Sequence, residues 1–203
     1  MPLISVRSPK LLLLVPALAV AGCDRQAAPD SQPQSAATTS ESAGKGESSA
    51  KGEFNGTLDI ANRGAEMPDF TVTDPSGKTL KLRDLKGTPV LVNLWATWCG
   101  PCVLEMPMLD QLAATTSGKL RVLTVSQDMN AAEKVSAFFA ERKFAKLEPW
   151  LDAENNLGFH YNTGMLPTTV LYDKDGKEVW RMIGAHDWSS SRTTAMLADT
   201  LGQ

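Results

Sequence analysis

Cysteine and histidine are scarce in this chain, which has three cysteines and two histidines among 203 residues. A disulfide-rich scaffold is therefore excluded, since such folds need more cysteines for their size. Structural zinc usually takes two pairs of Cys or His, but only Cys99 and Cys102 form a close pair, and His160 and His186 stand apart. A haem-attachment motif would place histidine directly after the second cysteine, where the chain has Val103. The sequence thus predicts no metal site.

An excess of basic side chains is also missing. The chain carries 20 Lys and Arg against 23 Asp and Glu, for a net charge of -3, and it contains no polybasic run. Nucleic-acid-binding domains concentrate positive charge on one face or along one helix, so the composition argues against a nucleic-acid partner. Hydrophobic residues make up 42% of the chain, which is compatible with a packed core.

The apolar run from Leu11 to Gly22 is too short to cross a bilayer, which takes about 18 or more apolar residues. It follows Arg7 and Lys10, an arrangement typical of a secretory signal peptide. The run ends in V-A-G-C at Cys23, which resembles a bacterial lipobox. That resemblance implies a signal peptide over residues 1–22, lipid attachment at Cys23, and anchoring to the cell membrane on its periplasmic or extracytoplasmic side. An ordinary secretory signal that happens to contain Cys23 is the alternative.

A polar segment follows, from residue 23 to residue 58. After Cys23 it is rich in Ser, Ala, Gly, Gln, Thr and Glu and has no Val, Ile, Trp, Tyr or Met. Such a segment cannot bury enough apolar surface to offset its ordering entropy, so we expect a disordered tether with an r.m.s. span of roughly 30–35 Å. Asp24 resembles the signal that retains Gram-negative lipoproteins at the inner membrane. The folded domain is expected over residues 59–203.

Beyond Leu58 the pattern of apolar residues predicts alternating strands and helices. The expected elements are a hairpin over 70–74 and 79–82, buried strands over 90–96 and 120–126, helices over 102–116 and 131–143, a second hairpin over 168–173 and 178–184, and a last helix that ends at Gly202 and is capped by Asp187 or Ser189. Strand–helix–strand units imply parallel strands at the centre, and the late hairpin adds antiparallel ones. The predicted fold class is therefore α/β with a central mixed β-sheet.

Helical and strand spacing also predicts which side chains form the core. The expected core residues are Trp95, Leu104, Met106, Met108, Leu109, Leu112, Met129, Val135, Phe138 and Phe139. By the same reasoning, His160 and His186 are expected at the surface or at helix caps, without a catalytic role.

The pair Cys99 and Cys102 follows a buried strand and opens a helix. A disulfide closing so short a loop stabilises a fold by only about 2 kcal/mol, against ~4.7 kcal/mol for a 100-residue loop, which disfavours a purely structural bridge. A cysteine at a helix N-terminus is instead favoured as a thiolate. We therefore interpret the pair as a redox couple, in which Cys99 attacks a partner disulfide and Cys102 resolves the mixed disulfide. Trp98 and the Gly100–Pro101 turn are expected to leave the Cys99 sulfur accessible to the partner.

Three motifs resemble the thioredoxin superfamily. WCGPC after LVNLWAT is similar to its active site, and C-x-x-C-x-x-E, which ends at Glu105, resembles the membrane-anchored TlpA/ResA-like branch. The segment GMLPTTVLYDKDG resembles the cis-proline loop of the superfamily, with Pro167 as the cis residue. The resemblance covers about residues 64–203. It implies a thioredoxin fold, with a central mixed sheet flanked by helices and an extra N-terminal β-hairpin.

The resemblance also implies roles for particular residues. Glu105 would accept the proton from Cys102 as the mixed disulfide is resolved, whereas its spacing alone leaves a solvated helix glutamate equally open. Asn93 stands where thioredoxins carry a buried acid. Met165 or Leu166 would offer its backbone to a bound partner beside Pro167, as in recognition by edge pairing.

The activity implied is that of an extracytoplasmic thiol–disulfide oxidoreductase whose cysteine pair needs no other cofactor. Its substrates would be protein disulfides, and in this branch the usual direction is reduction, for example of apocytochrome c or copper-site cysteines. Electrons would come from a membrane thiol transporter of the DsbD or CcdA type. The alternatives are an oxidase or isomerase that uses the same pair, a copper chaperone of the Sco type, and a peroxidase of the peroxiredoxin kind.

Overall fold

Eight strands share one sheet in the computed structural model, which describes residues 54–202. The strands are β1 (Thr57–Asp59), β2 (Thr71–Thr73), β3 (Thr79–Lys81), β4 (Val90–Trp95), β5 (Arg121–Ser126), β6 (Trp150–Leu151), β7 (Thr168–Tyr172) and β8 (Glu178–Ile183). The helices are α1 (Gly100–Thr115), α2 (Ala132–Arg142), α3 (Asn156–Tyr161) and α4 (Ser191–Leu201), and a short 3-10 helix spans Leu82–Leu85. The expected signal peptide, Cys23 and the tether up to residue 53 lie outside the described residues.

The strand order in the sheet is β1-β8-β7-β4-β5-β6-β2-β3. Strands β4, β5 and β6 run parallel, whereas β7, β8 and β1 add antiparallel pairs on one side. The β2–β3 hairpin joins the other side through the antiparallel pairing of Thr73 with Leu151. The predicted mixed sheet and the extra N-terminal hairpin are thus confirmed.

Strand β4 lies at the centre and is buried on both faces, which explains its nearly continuous apolar sequence. Leu91 and Trp95 face one core, which they share with buried residues of α1, α2 and α4. Val92 and Leu94 face a second core, formed with the 3-10 helix and α3. The helices therefore cover both faces of the sheet and pack around β4.

Within residues 54–202, no helix is both long enough and apolar enough to span a bilayer.

The N-terminal boundary of the folded region differs from the expectation. Thr57 and Leu58, expected at the end of the tether, belong to β1 and pair with Ile183 and Met182 of β8. Three residues beside a Ser- and Gly-rich segment show no usable periodicity, so the strand depends on the edge that β8 offers. Strand β6, of two residues, and helix α3, of six residues, were also not predicted.

Two helix starts differ from the predicted ones. Helix α1 begins at Gly100 with Cys99 as its N-cap, two residues before the predicted start. Helix α4 is capped by Ser190, whose hydroxyl group accepts from the backbone N–H of Thr193, so the prediction of Asp187 or Ser189 was wrong. The carboxylate of Asp187 instead accepts the backbone N–H of Ser189 in the preceding turn.

Two of the predicted core residues are exposed. Leu104 lies on the outer side of α1, because the inner face of that helix runs through Cys102, Glu105, Met106 and Leu109. Met129 is exposed in the loop between β5 and α2. The other predicted core residues are buried or half-buried against the core, and Trp95 packs against the rings of Phe138 and Phe139 at centroid distances of 5.0 and 6.0 Å.

Candidate active site

The two cysteines predicted to form a redox couple are joined in a disulfide, with their Cα atoms 5.3 Å apart. Strand β4 ends at Trp95, and a short loop brings Cys99 to the N-cap of α1, where its sulfur accepts the backbone N–H of Cys102 at 3.3 Å. Cys102 is fully buried on the inner face of α1, whereas Cys99 keeps a small exposed area at the edge of a groove. Of the two cysteines, only Cys99 therefore borders the groove.

The loop that carries Cys99 is fixed by a carboxylate from the neighbouring strand. Asp128 follows β5, and its two carboxylate oxygens accept the backbone N–H and the hydroxyl group of Thr97, both at 2.7 Å. The hydroxyl group of Ser126 donates to the same carboxylate at 2.9 Å. Asp128 was not identified from the sequence, because a carboxylate after a strand has no distinguishing pattern until its partner in space is known.

Glu105 is buried on the inner face of α1, one helical turn after Cys102, with only 1% of its surface exposed. Its Oε1 accepts the backbone N–H of His186, and Nδ2 of Asn93 lies 3.4 Å from its Oε2. Burial raises the pKa of the Glu105 carboxyl group from its ordinary value of 4.5 to about 8. The His186 N–H and the Asn93 amide stabilise the charged form without offsetting burial. The carboxyl group is therefore mostly protonated at neutral pH.

Asn93 and His186 complete the surroundings of Glu105. Asn93 Nδ2 also donates to Thr169 Oγ1 at 2.9 Å, so the amide links β4, β7 and α1. His186, predicted at the surface or a cap, is buried, and its Nε2 forms a hydrogen bond with Thr193 Oγ1 in the first turn of α4. Burial lowers the pKa of the His186 imidazole. Spacing along α1 could not reveal this packing, because the loop between β8 and α4 closes over Glu105 from a distant part of the chain.

The loop before β7 holds a cis peptide bond between Leu166 and Pro167, as predicted. The side chain of Met165 is 54% exposed, and its carbonyl oxygen accepts the hydroxyl group of Thr168 at 2.8 Å. That hydrogen bond occupies the Met165 carbonyl group on the protein side. Of the two residues predicted to offer their backbone to a partner, Leu166 is therefore the better placed.

A groove of about 760 Å³ opens beside Cys99. It brings together five of the predicted substrate-binding residues with Cys99 itself: Trp98, Gly100, Pro101, Met165 and Leu166. Its rim includes the exposed side chains of Trp98 and Phe159, and its buried lining includes Leu94 and Gln127. Helix α3 forms one wall, a part of the site that sequence reasoning missed. The apolar pair Leu157 and Tyr161, one helical turn apart, was the available signal for that helix.

The family model described as Redoxin matches residues 62–197. The chain belongs to the Redoxin family. A thiol-disulfide oxidoreductase ResA of Bacillus cereus is 39% identical over 121 residues, which cover 60% of this chain and 69% of that protein. The thioredoxin-like protein YneN of Bacillus subtilis (strain 168) is 36% identical over 114 residues, covering 56% of this chain and 66% of that protein.

Solved structures agree with this family assignment. A thiol:disulfide interchange protein DsbE from Chlorobium tepidum matches with a TM-score of 0.62 and 25% identity, covering 69% of this chain and 98% of that one. The pneumococcal exposed lipoprotein thioredoxin Etrx1 from Streptococcus pneumoniae strain TIGR4 matches with a TM-score of 0.55 and 27% identity, covering 63% of this chain and 97% of that one. Together with the Cys99–Cys102 disulfide, these relatives identify the redoxin as a thiol–disulfide oxidoreductase of the thioredoxin superfamily, similar to ResA and TlpA.

The remaining predicted site features of the redoxin lie elsewhere. His160 is exposed on α3, as expected, and its ring meets that of Phe70 edge-on at a centroid distance of 5.6 Å. Pro167 precedes β7 and sets the course of the cis-proline loop. Within residues 54–202, no group of three or more His, Cys, Asp or Glu side chains is arranged to hold a metal ion. The predicted lipid-attachment residue, Cys23, is outside the described part of the chain.

Proposed function

We propose that this redoxin is a lipid-anchored, extracytoplasmic reductant of protein disulfides, in which Cys99 attacks and Cys102 resolves. The observation that carries the proposal is the asymmetry of the pair, since Cys99 borders an open groove while Cys102 is fully buried, one helical turn before the buried Glu105. The lipobox-like sequence at Cys23 and the similarity to a lipoprotein thioredoxin support the anchor.

The reaction starts from the dithiol form. The Cys99 thiolate attacks one sulfur of the partner disulfide, so a Cys99–partner bond forms, the partner's own S–S bond breaks, and its second sulfur leaves as a thiolate that takes up a proton. Cys102 then loses its proton and attacks the Cys99 sulfur. The partner is released as a dithiol, and the Cys99–Cys102 disulfide holds the two oxidising equivalents. A membrane thiol donor of the DsbD or CcdA type restores the dithiol.

Glu105 serves as the proton carrier for Cys102 in this proposal. A carboxyl group with a pKa of about 8 is close to the usual thiol value near 8.5, so a proton moves between the two groups at little energetic cost. In the disulfide form the protonated carboxyl group can protonate Cys102 as the donor opens the bond. We expect Glu105→Gln to flatten the pH dependence of the rate at which Cys102 resolves a mixed disulfide on Cys99, and an unchanged profile would contradict this role.

Trapping and a reduction potential test the proposed function. In cells that make Cys102→Ser, the unresolved mixed disulfide should accumulate on Cys99, whereas the matched control Cys99→Ser should trap nothing. The captured proteins are expected to include apocytochrome c or proteins with copper-site cysteines.

Equilibration with dithiothreitol buffers, followed by tryptophan fluorescence, should give a reduction potential near the thioredoxin value of about -270 mV. A value near about -120 mV would make the protein an oxidase and reverse the direction.

The anchor is tested separately. Cys23→Ser should release the protein from membranes while leaving its disulfide chemistry unchanged, because the substitution is remote in sequence from Cys99 and Cys102. Membrane fractionation and globomycin sensitivity distinguish the lipoprotein from an ordinary secreted protein, which would be released regardless of residue 23. Stoichiometric retention of Cu(I) by the reduced protein would favour the copper-chaperone alternative, and rapid peroxide turnover would favour the peroxidase.

A further inference from the structure

A carboxamide without a hydrogen-bond partner lies at the groove beside Cys99. Gln127 directly follows β5, and its backbone N–H donates to the Trp95 carbonyl group at 2.8 Å, which fixes the residue next to the end of β4. The residue is only 5% exposed, and among the described residues neither its Oε1 nor its Nε2 has a hydrogen-bond partner. Buried polar groups are nearly always paired, so two unpaired atoms on one side chain indicate a missing partner.

The packing around Gln127 leaves no room for a side chain at position 158. Gly158 of α3 faces it, and a Cβ atom at that position would lie 3.0 Å from Gln127 Oε1 and 2.3 Å from Asn155 Oδ1. Any larger residue at position 158 would therefore press on the carboxamide oxygen. Both Gln127 and Gly158 line the groove that Cys99 borders. Gln127 is thus next to any segment that enters that groove.

The chemistry of the groove limits its occupant. No lining residue carries a charge, and the rim presents the apolar side chains of Trp98, Phe159 and Met165, which are 67%, 74% and 54% exposed. An uncharged polypeptide segment with an apolar side chain fits this surface. A peptide group offers one N–H and one C=O, which match the acceptor and the donors of a glutamine carboxamide. Small charged thiols match neither the apolar rim nor the uncharged lining.

We propose that Gln127 is a specificity-determining residue that hydrogen-bonds a peptide group of an uncharged segment flanking the partner's reacting cysteine. This inference rests on the proposed function, in that the partner is a protein disulfide. Both amide atoms are shielded from bulk water, so pairing requires a rotation of the Gln127 side-chain torsions as the segment enters. Contact on this side of the groove complements backbone pairing at Leu166, so the segment is held from two sides while Cys99 attacks.

Two disulfide substrates separate peptide recognition from sulfur chemistry. One is hydroxyethyl disulfide, which has no peptide group, and the other is a neutral peptide disulfide with an apolar residue next to its cysteine. The reduced full-length chain is compared with Gln127→Met, and Gln111→Met on the exposed side of α1 is the matched control. We expect Gln127→Met to slow reaction with the peptide disulfide about tenfold and to leave reaction with hydroxyethyl disulfide unchanged. The control should match the wild-type protein with both substrates.

A second measurement guards against a folding artefact. Because the substitution removes two unpaired buried polar atoms, Gln127→Met should unfold thermally at the same temperature as the wild-type protein or a higher one. An equal loss with both substrates, or no loss with the peptide, would overturn the proposal. If the wild-type protein reduced neither substrate, the proposed function itself would fail. If the wild-type protein were active and Gln127→Met kept the same preference for the peptide disulfide, only the proposed role of Gln127 would fail.

Discussion

A carboxyl group buried without a cation is the least expected residue-level feature of this redoxin. No lysine, arginine or protonated histidine within residues 54–202 is paired with Glu105, whose hydrogen bonds come from a backbone N–H and a neutral amide. Neutral donors stabilise a carboxylate less than a cation does. The effect of burial on the pKa of Glu105 is therefore the larger one, and the carboxyl group keeps its proton. Glu105 therefore links the stability of the fold to pH, in addition to its proposed role in proton transfer.

The first prediction concerns the pH dependence of stability. The pKa of Glu105 is 4.5 in the unfolded chain and about 8 in the fold, so the folded state binds more protons between those values. The contribution of Glu105 to the free energy of unfolding is complete below about pH 4.5 and is lost as pH rises through about 8, at up to roughly 1.4 kcal/mol per pH unit. Urea unfolding of the disulfide form at intervals from pH 5 to pH 9 measures this slope.

Glu105→Gln removes the titrating proton but keeps the size of the side chain. The variant should lose this component of the slope, while the wild-type protein keeps it. The solvent-exposed Glu141 on α2 offers a matched substitution, Glu141→Gln, that should leave the slope unchanged. Parallel slopes for the wild-type protein and Glu105→Gln would show that the proton is not held in the folded state.

The second residue-level prediction concerns Asp128. Asp128→Asn replaces an acceptor by a donor opposite the two donors of Thr97, so the loop before Cys99 should loosen and the free energy of unfolding should fall by about 1–3 kcal/mol. The rate at which the reduced protein reacts with a thiol reagent should change as well. Both quantities come from one preparation, by urea unfolding and stopped-flow alkylation.

A matched control for Asp128 exists on α1. Asp110 accepts the backbone N–H groups of Ala145, Lys146 and Leu147, at 3.0, 2.7 and 3.0 Å. Asp110→Asn should cost comparable stability without altering alkylation of Cys99, because that loop lies away from the redox pair. If the two variants changed thiol reactivity alike, Asp128 would have no specific influence on the active-site loop.

At the scale of single elements, α3 shows how a short helix is held in place. The guanidinium group of Arg181 on β8 donates to the Tyr161 carbonyl oxygen at the end of α3, at 2.9 Å, and pairs with the Glu178 carboxylate, also at 2.9 Å. Both charged side chains are buried. A helix of this length has little stability of its own, so it depends on contacts such as this one and the buried Leu157.

The third prediction removes the contact that holds α3. Arg181→Met leaves the Glu178 carboxylate buried without its partner, which should lower the free energy of unfolding by about 3–5 kcal/mol. Amide exchange in α3 should speed up more than exchange in β4. The double variant Arg181→Met with Glu178→Leu should recover part of the lost stability, because no unpaired charge remains. A double variant no more stable than the single one would mean that the ion pair itself stabilises the fold.

The success of sequence reasoning varied with the length of the element and the distance of its contacts. Strand β4 and helix α1 were predictable, because each carries a long periodic pattern and the motif around Cys99 is specific. Strands β1 and β6 are too short to have a period, and helix α3 offers only the single spacing of Leu157 and Tyr161, so these elements depend on neighbours that the sequence does not reveal. For the same reason the positions of Asp128 and Gln127 were invisible, although Asp128 holds the loop before Cys99 and Gln127 lines the groove beside it.

At the scale of the whole molecule, one edge of the sheet is formed by β1, the first strand of the described residues. Strand β1 covers β8, and Gly56 packs so closely against the Gly184 and Ala185 carbonyl oxygens that a Cβ atom would lie 2.7 Å from both. Without β1, the backbone groups of β8 would form a free edge. Exposed edges of this kind pair with other chains.

The fourth prediction is a comparison of two shortened chains. A chain that begins at residue 54 keeps β1 and should stay monomeric, whereas one that begins at residue 60 should unfold at a lower temperature and associate through β8. Light scattering and thermal unfolding at several concentrations measure both effects. Identical behaviour of the two chains would show that β1 does not protect this edge.

The course of β1 also determines where an N-terminal anchor would lie relative to the reacting cysteine. Thr57 pairs with Ile183, which pairs with Thr168, which pairs with Leu94, so the first residues of β1 lie at the end of the sheet from which Cys99 emerges. An anchor at the N-terminus therefore holds the protein by its reacting end. Attachment at the opposite end would move Cys99 away by the width of a domain, roughly 30 Å.

For the lipid-anchored protein that we propose, this geometry raises the effective concentration of Cys99 at the membrane. Encounters with a partner fixed in the same bilayer become nearly intramolecular, and their frequency depends on the length and stiffness of the segment that joins Cys23 to β1. Electron delivery from a membrane donor would then need only a weak docking surface. The tether would keep the two proteins close together, whereas a freely diffusing thioredoxin relies on binding energy for the same purpose.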